Sequence, residues 1–218
     1  MRAILIVIPL FQLTACNMVV TKAPMFAKAD EVGAPRLRDG VWAGAPDSKC
    51  PYDPSSPIKT WPTCANGSVV GDDKLSGFNG EGDQRHWTSM AYVLAAGDPR
   101  VLQIHLTDLF GQTVPMADFF AYADLHPTKF DAQGRITEFE TWFVLCGPPP
   151  PSQAASSDGQ GGQKVLTGTL HPLPGLTMDE AKNNCTPASQ DAVRNAAAAS
   201  KAWDTDHSST HWVRDGDQ

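Results

Sequence analysis

The chain has 218 residues, 17 Lys and Arg against 24 Asp and Glu, and a formal net charge of −7. This length suits one domain with a sizeable core. An acidic chain without a basic run excludes nucleic acid and anionic headgroups as charge-driven partners, and fits a solvated exported domain.

The chain opens on MRAILIVIPLFQLTAC. Arg2 is the sole charge before Lys22, residues 3–13 are almost wholly apolar, and Thr14 and Ala15 are small. This is the layout of a secretory signal. The run is too short to cross a hydrocarbon core, which takes about 20 helical residues. The plain reading is a signal peptide cut at or just beyond Ala15. Leu13-Thr14-Ala15-Cys16, however, resembles the lipobox of bacterial lipoproteins, with Leu and Ala placed before a Cys that becomes the new N-terminus. The resemblance implies removal of 1–15, a diacylglycerol on the Cys16 sulfur and an amine that is often acylated too. It implies a lipid-anchored protein of the bacterial cell envelope, facing the periplasm. Each buried methylene contributes about 0.8 kcal/mol, so two or three chains hold firmly where one does not. Asn17 lacks the charge of the Asp that favours inner-membrane retention in enterobacterial lipoproteins, which leans the expectation toward the outer membrane. Loss of Arg2 with the leader takes the charge from −7 to −8.

With Cys16 assigned to lipid, Cys50, Cys64, Cys146 and Cys185 are left, an even number in an exported chain, and so a disulfide framework with three connectivities. The favoured pairs are Cys50–Cys64 and Cys146–Cys185. The first brackets Pro51, Pro54, Pro57 and Pro62, a segment that cannot form helix or inner strand and needs a staple. The second ties a strand end to a helical segment, and each is worth about 3–4 kcal/mol in the chain-entropy model. Four thiolates without a CxxC spacing make a poor zinc site.

Residues 16–35 lack periodicity and read as a lipidated tether, reaching roughly 25 Å as flexible chain. Residues 36–218 read as a single β-rich domain. Gly40-Val41-Trp42 predicts a short strand with a core Trp, and resembles the opening motif of lipocalins. Residues 68–71 predict a strand and 72–84, with Gly77, Gly80 and Gly82, a loop. Residues 87–96 and 101–107 predict a hairpin: Leu102, Ile104 and Leu106 alternate strictly with Gln103 and His105. Residues 117–125 and 135–146 predict a second hairpin around Asp131-Ala132-Gln133-Gly134, with Glu138 and Glu140 on one face and Phe139 and Phe143 on the other. Residues 147–162, with four consecutive prolines, predict a disordered loop. Residues 163–170 predict a strand. Both Leu125-His126-Pro127 and Leu170-His171-Pro172 read as strand ends.

Thr177-Met178-Asp179-Glu180 has the pattern of a capping box and predicts a short helix to about residue 184. Thr186-Pro187 predicts a second start and a helix to about Trp203, with Val193, Ala196, Ala197, Ser200 and Trp203 on one face. Residues 210–214 predict a last strand.

The candidate chemistry is sparse. His207 and His211 would share a helix face, but the intervening Ser208-Ser209-Thr210 favours strand, where they stand about 13 Å apart, too far for one ion. Ser56-Pro57-Ile58-Lys59 fits an SxxK pattern without its partner motifs. Glu138 and Glu140 mark a solvated strand face more simply than an acid–base pair. No catalytic residue, cofactor or metal ligand is assigned. The expected fold is mainly β (α+β): an antiparallel sheet or lipocalin-like barrel with a C-terminal helix packed on it and a terminal strand. Three functions stay open: a structural or partner-binding envelope lipoprotein without catalysis, a carrier of a small apolar ligand in a barrel, and a hydrolase with a scattered site.

Overall fold

Eight antiparallel strands close into a barrel in this computed structural model, which describes residues 17–45, 50–79, 86–106, 118–149, 152–153, 165–166, 171–180, 184–203 and 208–216. The wall consists of β2 (Gly40–Gly44), β3 (Ser68–Gly71), β4 (Lys74–Asn79), β5 (His86–Ala95), β6 (Val101–His105), β7 (Phe120–Phe130), β8 (Ile136–Phe143) and β13 (Ser208–Arg214). Strands β2 to β8 pair in chain order, and β13 fits between β8 and β2 to close the ring. A ninth strand, β1 (Val20–Thr21), joins the top of β7 at Phe120 and Ala121. Short pairs β9 (Ser152–Gln153) with β10 (Val165–Leu166), and β11 (Leu176–Met178) with β12 (Cys185–Pro187), precede helix α1 (Gln190–Ser200). The closed ring selects the barrel over the open sheet.

Strand alternation gives each wall residue a side. Inward lie Trp42, Val70, Leu75, Tyr92, Leu94, Leu102, Leu125, Phe139 and Trp212, which with Leu37 and Ile136 form one core cluster. They fill the lower half, the end where the turns β3–β4, β5–β6 and β7–β8 lie. Trp42 is fully buried and its ring sits 5.5 Å from that of Phe139. The expected core Trp is therefore the floor of the barrel. Its glycine partner has a steric reason: Gly40 has φ +123°, and a Cβ there would collide with the Arg214 carbonyl and the Trp212 indole nitrogen. Arg38 stacks 3.5 Å above the Trp212 ring and the Trp42 indole donates to its carbonyl, which seals this end.

Two layers cover the outside of the wall. Helix α1 lays Ala192, Val193, Ala196 and Ala197 against Ala95, Val101 and Tyr122 of β5, β6 and β7. Small residues permit the close, flat approach that the alanine stripe predicts. On another side the Cys50–Cys64 loop packs Ile58, Trp61 and Ala65 over Val41 and Ala43 of β2. Both expected bridges are formed, with Cα–Cα distances of 5.9 Å for Cys50–Cys64 and 5.8 Å for Cys146–Cys185.

Several expectations are corrected. Residues 17–35 are not a tether: Val19, Val20 and Phe26 are buried in core clusters, and β1 extends the wall. Buried Gln103, on the strand face opposite Leu102 and Ile104, holds this segment by accepting from Met25 and Phe26 N–H and donating to the Phe26 carbonyl. Residues 74–79, expected as loop, are β4, entered through Asp72 and Asp73, both at positive φ. Strand β7 does not stop at His126-Pro127 but runs to Phe130, with register shifts around Lys129 that accommodate the missing proline N–H. The capping-box sequence is not helical over its described residues. Thr177 pairs with Thr186 in a ladder, and the Asp179 carboxylate accepts the Asn184 N–H. Helix α1 starts instead after Ser189, whose hydroxyl accepts the Ala192 N–H at 3.2 Å, and Pro187 lies in β12. Only Val165 and Leu166 of the strand expected over 163–170, and only 147–149 and Ser152–Gln153 of the loop expected over 147–162, fall among the described residues.

Candidate functional site

Residues 27–39 form a strap across the lower end of the barrel. Its 3₁₀ turn, Lys28–Glu31, is fastened at the end of β5: Ala96 N–H donates to the Asp30 carbonyl at 2.8 Å and Leu94 N–H to the Glu31 carboxylate at 3.2 Å. Between strap and wall lies a cleft of about 430 Å³, lined among others by Val32, Arg36, Tyr92 and Arg135. The size is that of a ligand site, but its charges are already matched. Lys28 lies 2.7 Å from Glu31 and 3.0 Å from Asp73, and Arg36 lies 3.5 Å from Asp73. The hydrogen bond from Lys28 holds the Asp73 carboxyl below the usual carboxylate range, and burial raises the Tyr92 phenol far above its ordinary value. Asp73 is therefore an ion-pair partner rather than a proton acceptor, and Tyr92 stays a hydroxyl. The arrangement clasps the strap to the β3–β4 turn.

The outer face of β7, β8 and β13 gathers most of the polar candidates. Glu138 lies opposite both Lys129 and His211, and Glu140 opposite both His126 and Ser209. Glu138 is engaged by Lys129 at 2.6 Å and by Thr128, and the Lys129 hydrogen bond lowers its pKa. A carboxylate stabilised in its charged form is a weak general acid. Among the described residues no group of three or more His, Cys, Asp or Glu is placed to hold a metal ion, and His207 lies outside them. Ser56 and Lys59 are not paired for catalysis: the Ser56 hydroxyl accepts from the Trp61 indole and the Thr60 hydroxyl. Cys16 also lies outside the described residues.

A third region was not singled out by sequence because its strand reads as loop. Among the described residues, the outer face of β4 and the first half of β5 lies between the two cover layers, with Phe78 at the edge of the disulfide-loop cluster and Val93 and Ala95 against the helical one. The pairs across it are Lys74 with Ala91, Ser76 with Ser89, and Phe78 with Trp87. The Ser76 hydroxyl donates to the Ser89 hydroxyl at 2.8 Å, which spends one of the two O–H donors within the pair. Phe78 packs on the disulfide-loop cluster and meets Trp87 edge-on at 4.9 Å, leaving Trp87 44% exposed. One lysine is the only charge in these six positions. A large exposed aromatic on a weakly charged strand surface has the make-up of an interface core.

The upper half of the interior differs from the filled floor. Gly44, Ser68 and Gly77 face inward there on one side, Ala121 packs in a core cluster with Val20, Ile104 and Leu106 on the other, and Phe143 is 40% exposed. No protein-family model, no curated protein and no solved structure matches the chain.

Proposed function

We propose that this protein is a lipid-anchored component of the bacterial cell envelope that works without catalysis, by binding another protein through the β4–β5 wall. The observation that carries the binding reading is Trp87, half-exposed on Phe78 in a sector otherwise made of Ser76, Ser89, Ala91 and Lys74. Buried aromatic anchors with weakly charged surroundings dominate protein–protein binding energy. The lipobox at 13–16 and the two disulfides support a location in an oxidising envelope compartment. The test is a photo-crosslinking residue at Ser89 in the full-length protein in its own cells. The expected result is one discrete protein adduct, absent when the probe sits at Lys129 or when Trp87→Ser is added. Equal adducts from both positions, or none from Ser89, would contradict it.

Small Gly44, Ser68 and Gly77 facing inward at the upper end favour a second reading, a small apolar ligand held in the barrel mouth above the Trp42 floor. Native mass spectrometry of protein extracted from its own membranes separates the two. A co-extracted small molecule supports the carrier, and a co-extracted protein the binder.

A further inference from the structure

The first residue after the candidate lipid-bearing cysteine is already inside the fold. Asn17 is 7% exposed, its side-chain amide donates to the Gly147 carbonyl at 3.0 Å, and its own carbonyl accepts the Cys146 N–H at 2.8 Å. Met18 pairs with Leu145 and Val19 with Cys185, and Val19 is fully buried. Residues 17–19 thus run between two segments, 144–146 and 184–185, which the Cys146–Cys185 bridge ties together. The bridge is the buckle of a clasp that grips the chain at the point where an anchor would pull.

One trans peptide link spans 3.8 Å between Cα atoms. A diacylglycerol on Cys16 would therefore place its acyl chains within about 10 Å of Asn17, close to the thickness of one headgroup layer. Around this point the chain exposes Pro148, Pro149, His171 and Pro172, with the His171 carbonyl packed on Gly147. None of these four carries a carboxylate, in a chain whose net charge is −7. Asp179, whose carboxylate accepts the Asn184 N–H, and exposed Glu180 lie beyond them. A surface of this kind approaches anionic headgroups without the repulsion the rest of the molecule would meet.

We propose that the barrel is mounted flush on the bilayer that holds its lipid, with the surface around Asn17 against the headgroups and the Cys146–Cys185 clasp keeping residues 17–19 from paying out as a tether. This inference rests on the lipoprotein reading. In the ring of eight strands β4 lies four strands from β8 in either direction, so the β4–β5 wall and β8 are on opposite flanks of the barrel.

The test uses the mature, lipidated full chain in nanodiscs of phosphatidylethanolamine and phosphatidylglycerol doped with a gadolinium-chelating headgroup lipid. Relaxation of the amide signals of Gly147 and His171 should rise several-fold more than that of Ser89 on β5. A twelve-residue Gly/Ser spacer inserted between Cys16 and Asn17 should remove the difference. If the intact mass confirms the lipid and Gly147 and His171 relax no faster than Ser89, or the spacer changes nothing, flush mounting is wrong and the anchor reading survives. If the intact mass shows no lipid on Cys16, both fall.

Discussion

Asp124 occupies the outer face of β7 between Val101 and Trp142, beneath the helical layer, and is 5% exposed. Burial raises its pKa to about 7, against a partial opposing pull from Lys201. A folded-state pKa above the unfolded value means that the protonated form is the stable one, so stability is full at low pH and is lost as pH rises through about 7. The urea midpoint should therefore fall between pH 5.5 and 8.5, and Asp124→Asn should flatten that slope. Identical slopes for the two proteins would refute the assignment. Gly40 makes the opposite kind of demand, on space rather than on charge. Gly40→Ala should cost about 3 kcal/mol, from positive φ and from collision with the β13 backbone. Chemical denaturation measures it, and a loss below about 1 kcal/mol would show that β13 can yield. Neither residue could be ranked from sequence. Asp124 lies in a strand whose other face is the core, and only the helix laid across it decides that its own face is buried too.

At the scale of elements, the strongest sequence signals were periodic. The alternation at 101–106, the Asp131–Gly134 turn and the alanine stripe of α1 all reflect a single surface burying a single row, which local pattern records. Elements that answer to distant partners were not legible. Strand β4 contains Ser76, Gly77 and Asn79 and has weak intrinsic preference, and it is a strand because β3 and β5 offer ladders on both sides. The capping box at 177–180 was overridden by the β11–β12 ladder and the Cys146–Cys185 bridge. Residues 17–35 look aperiodic because successive stretches pack on different partners, β7, then β6, then β5. The Cys50–Cys64 loop is the clearest case of a staple replacing secondary structure. Replacing both cysteines by Ser should cost about 3 kcal/mol and should also loosen Trp61 from Val41 and Ala43. Trp fluorescence would report the second effect, and an unshifted spectrum with unchanged stability would contradict the role given to the bridge.

At the scale of the whole molecule, the barrel has a filled lower half, a further core cluster around Ile104 and Leu106, and, among the described residues, a β4–β5 wall that leaves Trp87 44% exposed between two covers. The opening sixteen residues carry the expectation of a lipid anchor, and the fold changes how the residues behind them would be held. The stretch that reads as tether is the clasp, and the bridge expected to tie down a floppy loop also grips the N-terminal segment. The candidate interface was hidden for the same reason as β4, since Trp87 becomes notable only when Phe78 is beside it. The central claim is that this barrel is anchored by lipid at Cys16, and intact-mass spectrometry of the protein extracted from its own membranes tests it most directly. The predicted species begins at Cys16, lacks residues 1–15 and carries the mass of a diacylglyceryl group, with or without an N-linked acyl chain. A chain that retains the leader, or one cut elsewhere with an unmodified Cys16, would contradict it.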